Sequence, residues 1–96
     1  MEKRICIVRS NMAGVFFGLI EKINPDKSVL ISNARKIYYW EGAYTMEDLA
    51  DKGIDVKKSK VTCEIESVLL SDYCQVIPLT DKALKILNNS PTWTVR

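Results

Sequence analysis

The segment RICIVRS, residues 4–10, constrains the fold most, because it alternates as a β-strand and yet is apolar on both faces. In an extended strand Ile5 and Ile7 share one face, while Cys6 and Val8 share the other. A strand that is apolar on both faces is typical of the middle of a sheet. The sequence therefore predicts a central strand near the start of the chain.

Three further strands are predicted between residues 15 and 40, with the sequences VFFGLIEKI, VLIS and RKIYYW. The turn-forming sequence NPDKS separates the first two, which predicts a hairpin. Gly18 interrupts the first strand and indicates either a bulge or a close approach to the backbone. Phe17 and Tyr39 are predicted to be core residues, because each shares a strand face with aliphatic neighbours.

Capping signals predict two short helices. Thr45 is placed to cap a helix over residues 45–52, and Tyr44 stands where a hydrophobic staple would pack against that helix. Thr80 is placed to cap the second helix. Between the helices, the segment VTCEIE alternates and predicts a strand whose inward residues are Val61, Cys63 and Ile65.

These elements predict an α+β fold, in which a small bent antiparallel sheet or a partly open barrel is combined with two short helices. The 96 residues suffice for one small domain, residues 1–96. Because a chain this short buries only a modest core, association into a homo-oligomer would stabilise it, and we expect one.

The composition argues against an enzyme. The chain has no histidine, which removes the commonest general base near neutral pH and the commonest metal ligand. Its four glycines show neither a phosphate-loop spacing nor a dinucleotide-binding spacing. We therefore expect no catalytic residue, no metal and no cofactor.

Charge and cysteine content limit the partners and the location. The formal net charge of +2 is nearly balanced, whereas domains that coat duplex nucleic acid carry a larger, clustered excess of Lys and Arg. Nucleic acid is therefore not an expected partner. A membrane is not expected either, because no segment approaches the ~20 apolar residues of a membrane span. The three cysteines are widely spaced, and we expect buried free thiols in a reducing cytoplasm.

The chain carries the residue types that bind a flat anionic ligand. Aromatic rings stack on planar heterocycles, and arginine holds a phosphate through paired hydrogen bonds. The glycine of a polar turn lets the backbone approach a ligand closely. For three of the aromatics, two interpretations stay open: a ligand or subunit interface, or the core. The candidate ligand-binding residues are Arg9, Ser10, Asn11, Gly14, Phe16, Arg35, Tyr38 and Trp40, and the aromatics in question are Phe16, Tyr38 and Trp40.

At AGVFFG, NARKIYYWEGA and LADKG the sequence resembles a family of short bacteriophage proteins, and the likeness covers most of the chain, including IPLTDKALK. Small phage proteins of this size include sponges that sequester the cyclic nucleotide signals of bacterial immunity, such as those of CBASS and Thoeris systems. The resemblance implies an anti-defence protein in the cytoplasm of the infected host, which binds a small anionic nucleotide without cleaving it. In that hypothesis Tyr38 and Trp40 stack on bases, while Arg9 and Arg35 contact phosphates.

Two other functions stay open. Exposed aromatic and arginine side chains also anchor protein interfaces, so a phage inhibitor that masks a host protein is the first alternative. A small barrel that binds single-stranded nucleic acid is less favoured, because Lys57, Lys58 and Lys60 lie apart in sequence from the aromatic residues.

Overall fold

The computed structural model of the protein describes residues 4–11 and 13–92, and it confirms the predicted α+β fold. Over these residues the chain forms six strands and two helices, and the strands pair with one another antiparallel. In chain order the elements are β1 (Ile5–Ser10), β2 (Gly14–Ile23), β3 (Val29–Tyr39), α1 (Met46–Lys52), β4 (Lys60–Val61), β5 (Ile65–Leu70), β6 (Tyr73–Pro78) and α2 (Asp81–Asn88).

The strands form one strongly bent sheet. β1 lies between β2 and β6, which confirms the central strand predicted from its two apolar faces. β3 pairs with β2 along one edge, and with β4 and β5 along the other. β5 and β6 thus lie at opposite margins of the sheet, although only Ser71 and Asp72 separate them. The sheet therefore curls until its margins approach, and no ladder within the described part of the chain closes it into a barrel.

Two apolar layers cover the two faces of this sheet. The helix-side core, where α1 and α2 pack, contains Ile7, Val15, Phe17, Ile37, Met46, Leu49, Ala50, Ile54, Val61, Leu79, Ala83 and Leu87. The inner core, on the opposite face, contains Val8, Phe16, Val29, Ile31, Ala34 and Leu70. The neighbours Phe16 and Phe17 therefore lie in different layers, and the prediction that Phe17 is a core residue is confirmed.

Strand β3 is longer than predicted, because the two segments VLIS and RKIYYW join into one strand of 11 residues. The joint is a β-bulge at Asn33, whose φ is +50°, and the register between β2 and β3 shifts there by one residue. Gly18 lies across from this bulge, where a Cβ would come within 2.5 Å of Ile31 Cγ2 and 2.9 Å of the Ser32 carbonyl oxygen. The close approach predicted at Gly18 is therefore confirmed.

Both helices begin at the predicted capping residues. Thr45 Oγ1 accepts a hydrogen bond from the Asp48 amide at 3.1 Å. Thr80 Oγ1 accepts one from the Ala83 amide at 3.1 Å. The predicted staple at Tyr44 is wrong, because that side chain is 98% exposed. In the described ranges, neither helix has the length and apolar character that a membrane crossing needs.

The segment VTCEIE does not form the single strand that its alternation predicts. β4 ends at Val61, and β5 begins only at Ile65, which is 41% exposed. Between the two strands, Thr62 bonds to the backbone of Lys36 twice: its amide donates at 2.9 Å and its hydroxyl accepts at 3.0 Å. Cys63 faces solvent. The interruption arises because tertiary hydrogen bonds, which the local pattern does not contain, hold this part of the chain.

Two expectations about buried side chains also fail. Tyr39 is 47% exposed, because a register shift between Ile37 and Tyr39 breaks the alternation that would have placed both on one face. All three cysteines are free thiols as expected, but only Cys6 is buried, while Cys63 and Cys74 are exposed.

Arg35 is a charged side chain that is buried and bonded to several backbone carbonyls, and it is only 8% exposed. Its Nε donates to the Thr62 carbonyl oxygen at 2.8 Å, and its terminal nitrogens donate to the carbonyls of Leu87 at 3.3 Å and Ser90 at 3.0 Å. The guanidinium also lies 6.0 Å from the centroid of the Phe17 ring. Arg35 therefore joins β3 to the chain after β4 and to the C-terminal end of α2, where a cation is favourably placed.

We predict that Arg35→Met lowers the free energy of unfolding by about 2–4 kcal/mol, because three backbone carbonyls lose a charged donor in a buried setting. Urea denaturation followed by circular dichroism measures the effect. Arg9→Met is the control: Arg9 is exposed, so its loss should change stability by less than about 0.5 kcal/mol. Equal midpoints for the two variants would contradict the structural role of Arg35.

We predict that Gly18→Ala destabilises the protein by about 1–3 kcal/mol, because the new methyl group overlaps Ile31 and the Ser32 carbonyl, and the backbone must move. The same urea experiment measures it. Ser67→Ala, at an exposed position of β5, should leave the midpoint almost unchanged. A Gly18→Ala protein as stable as the parent would mean that β2 and β3 are not packed this closely.

Candidate ligand-binding groove

A groove with a volume of about 790 Å³ lies where the β1–β2 turn, the end of β3 and the start of α1 meet. Its size falls within the range of about 300–1,000 Å³ that is usual for small-molecule sites. We call it the ligand groove. Its lining comes from β1, β2, β3, β6, the segment before α1 and the first turn of α1, and it comprises Arg9, Ser10, Asn11, Gly14, Val15, Lys36, Ile37, Tyr38, Trp40, Tyr44, Thr45, Met46, Glu47 and Gln75.

Six of the eight residues proposed from the sequence line this groove. Phe16 does not: it is 7% exposed and belongs to the inner core. Arg35 does not either, because its guanidinium is committed to backbone carbonyls on the helix side of the sheet. The six that the structure brings together are Arg9, Ser10, Asn11, Gly14, Tyr38 and Trp40.

The floor of the groove is apolar. Val15 and Ile37 are cross-strand partners on β2 and β3, and both are buried in the helix-side core together with Met46. Arg9 pairs with Val15 on one side and with Gln75 on the other, so the row crosses four neighbouring strands. Three interstrand spacings give a row about 14 Å long. A row of this length, with Val15 and Ile37 as its apolar part and Arg9 and Gln75 as its polar part, suits an extended flat ligand rather than a single small ion.

Aromatic side chains stand on one side of the floor. Tyr38 is 60% exposed and Tyr44 is 98% exposed, so neither ring belongs to the core. Trp40 is half-buried and packs against the helix-side core while it also lines the groove. The choice that the sequence left open is thus resolved differently for each ring: Phe16 is core, Tyr38 is exposed at the groove, and Trp40 is shared between the core and the groove.

Two cations border the groove. Arg9 is exposed on β1, and Lys36 Nζ lies 5.7 Å from the centroid of the Phe16 ring. Among the described residues, neither charged group has a hydrogen-bond or ion-pair partner. The sequence predicted Arg35 as the second cation, but that side chain is buried and bonded to backbone carbonyls, and Lys36 lines the groove instead.

Ser10 shapes the turn that forms one end of the groove. The residue is 3% exposed; its hydroxyl donates to Asp72 Oδ1 and accepts a hydrogen bond from the Ala13 amide at 3.1 Å. Asn11 is exposed, and Gly14 has a φ of +100°, which favours glycine. The predicted turn is confirmed at these positions, and Met12 lies outside the described residues. Ser10 therefore positions the turn, while Asn11 is free to face a ligand.

An acidic side chain that sequence reasoning missed also lines the groove. Gln75 Nε2 donates to Glu47 Oε1 at 3.1 Å. Hydrogen bonds from the Glu47 backbone amide and then from the Thr45 hydroxyl hold the pKa of the Glu47 carboxyl below its usual range. Desolvation opposes them, and the Gln75 amide adds the smallest lowering effect. No local pattern could have indicated the contact between α1 and β6, because 28 residues separate Glu47 from Gln75.

Two further features bear on what the protein can bind. A smaller cavity of about 250 Å³ lies between Phe17, Gly18, Asn33 and Asn88, and it contains none of the predicted ligand-binding residues. Over residues 4–11 and 13–92 no three His, Cys, Asp or Glu side chains are grouped as metal ligands. The ligand groove is therefore the candidate site that the structure develops best.

Comparisons with known proteins were made with the whole chain. Neither the curated proteins nor the solved structures gave a significant match. The sequence model of one family, described as "Domain of unknown function (DUF6948)", matches residues 3–87, which is most of the 96-residue chain, and the protein belongs to this family.

Proposed function

We propose that the protein is a phage-encoded sponge, which binds a cyclic nucleotide signal of bacterial immunity, such as a cyclic dinucleotide, and withholds it without cleaving it. The observation that carries the proposal is the convergence of six residues, chosen from the sequence for nucleotide binding, on one groove. They come from β1, the β1–β2 turn, the start of β2, the end of β3 and the residue that follows β3.

Each part of the groove suits one part of a nucleotide. The rings of Tyr38 and Trp40 offer stacking faces, and stacking contributes about 1–3 kcal/mol per base. Arg9 and Lys36 offer charged donors for phosphate, each worth roughly 1.5–3 kcal/mol when the donor is held in place. A nanomolar dissociation constant corresponds to about −12 kcal/mol, which two bases and two phosphates approach only if the groove is preorganised.

Sequestration of a ligand needs fewer chemical groups than its cleavage does. Tight binding without turnover needs no general base, and the chain has no histidine. The groove is open to solvent, with Tyr44 almost fully exposed at its rim. In this proposal a second copy of the chain covers the open side, because a symmetric oligomer encloses pockets that one small domain cannot. The site of action is the cytoplasm of the infected host.

A host protein is the second candidate partner. Tyr38 and Tyr44 are exposed rings that line the same groove as Arg9, and tyrosine and arginine are among the side chains that most often anchor protein interfaces. In that case the ligand groove receives a side chain or loop of the partner, and the protein inhibits by masking its target.

We predict that at least one ligand from a panel of cyclic dinucleotides, cyclic trinucleotides and cyclic ADP-ribose isomers raises the melting temperature. A ligand at 100 times its dissociation constant adds about 2.7 kcal/mol, which corresponds to roughly 10 °C or more for a domain of this size. No shift with any member would favour the protein partner. Binding of unrelated oligonucleotides that weakens steeply with salt would favour single-stranded nucleic acid.

We predict that Tyr38→Ala weakens the binding of a ligand found in this way by about tenfold or more, because one stacking face is lost. Tyr39→Ala is a matched control, since both tyrosines are exposed neighbours on β3 and only Tyr38 lines the groove. Isothermal titration calorimetry of the two variants measures the difference. Equal affinities would place the ligand somewhere other than this groove.

A further inference from the structure

We propose that Lys36 and Arg9 form a two-sided cradle for a phosphoryl group at the β1–β2 turn. We also propose that position 14 is a glycine because the lysine side chain must pass close to its backbone to reach the phosphoryl group. The proposal deepens the function proposed above and rests on it for the identity of the natural ligand. The cradle concerns only the phosphate part of a ligand. A phosphate diester, a free phosphate or a pyrophosphate carries the negative charge that these two side chains recognise.

The two cations approach the turn from opposite faces of the sheet. Arg9 is the cross-strand partner of Val15, which lies in the helix-side core. Lys36 is the partner of Phe16, which lies in the inner core. Directly paired residues point to the same face, so Arg9 and Lys36 extend on different sides of the sheet and still line one groove. In this proposal an anion lies between the two side chains at the end of the turn, because both line the groove there.

The position of Lys36 is set by its surroundings. Its ammonium lies over the Phe16 ring, at 5.7 Å from the centroid, which favours the cation without neutralising it. A Cβ on Gly14 would lie 3.2 Å from Lys36 Cε and 3.7 Å from Nζ. The lysine thus lies against the bare backbone of Gly14, and a side chain there would crowd it. The positive φ of Gly14 gives a second, independent reason for glycine at this position.

The charge of the groove supports an anionic ligand. Its lining has two cations, Arg9 and Lys36, against one carboxylate, Glu47, which gives a net charge of +1. Glu47 already bonds to Gln75, whereas in the described part of the chain the two cations bond to no carboxylate. Unneutralised cations in a partly enclosed groove attract anions more strongly than cations on an open surface.

Inorganic pyrophosphate tests the cradle without depending on any nucleobase. We expect it to shift the amide resonances of Ser10, Asn11 and Gly14 in a saturable way when it is titrated into ¹⁵N-labelled protein. Lys36→Gln and Arg9→Gln should each weaken this binding at least fivefold. Lys82→Gln, which removes an exposed lysine on α2 that does not line the groove, should leave it within a factor of two.

The outcomes separate the cradle from the proposed function. An absence of saturable shifts at the turn, or equal affinities for Lys36→Gln and Lys82→Gln, would overturn the cradle. A cyclic nucleotide that binds Lys36→Gln as tightly as the parent would also overturn it, while the sponge function would stand. Pyrophosphate binding at the turn together with a panel that gives no cyclic-nucleotide ligand would support the cradle and contradict the sponge. If Lys36→Gln does not fold, the pyrophosphate affinity of Arg9→Gln is compared with that of Lys82→Gln instead.

Discussion

The fold depends on one buried side chain, the guanidinium of Arg35. It donates to carbonyls of the chain after β4 and of the C-terminal end of α2, so one residue of β3 holds three parts of the chain together. The guanidinium has five donors on three separate nitrogens, so it reaches carbonyls that lie further apart than the three donors on the single nitrogen of a lysine would reach. The ring of Phe17, a member of the helix-side core, lies 6.0 Å from the guanidinium.

The candidate site follows from the same strand. Arg35 and Lys36 are neighbours on β3 that point to opposite faces of the sheet: Arg35 is buried, and Lys36 lines the ligand groove. The same division applies on β2, where Phe17 supports the arginine and Phe16 supports the lysine. Each cation thus lies over one ring. Arg35 and Phe17 stabilise the fold, whereas Lys36 and Phe16 lie beside a surface that can receive an anion.

Local patterns in the sequence predicted much of this structure, and six of the eight residues proposed from the sequence line the candidate groove. The central strand and both helix caps depend on residues within a few positions of one another, and they were predicted correctly. The burial of Arg35 was not predictable, because its acceptors at Leu87 and Ser90 lie 52 and 55 residues away. The bulge at Asn33 and the exposure of Tyr44 were missed for the same kind of reason: register and packing against other elements decide them.

The central claim is that a nucleotide lies in the ligand groove with a base against Trp40. The most direct test is an NMR titration of ¹⁵N-labelled protein with cyclic di-GMP, cyclic di-AMP and a cyclic ADP-ribose isomer. For at least one of them we expect a saturable upfield shift of the Trp40 indole N–H and of the amides of Arg9, Tyr38 and Tyr44, while Asn33 at the smaller cavity stays unchanged. The absence of such shifts with all three, or shifts concentrated at Asn33, would contradict the account.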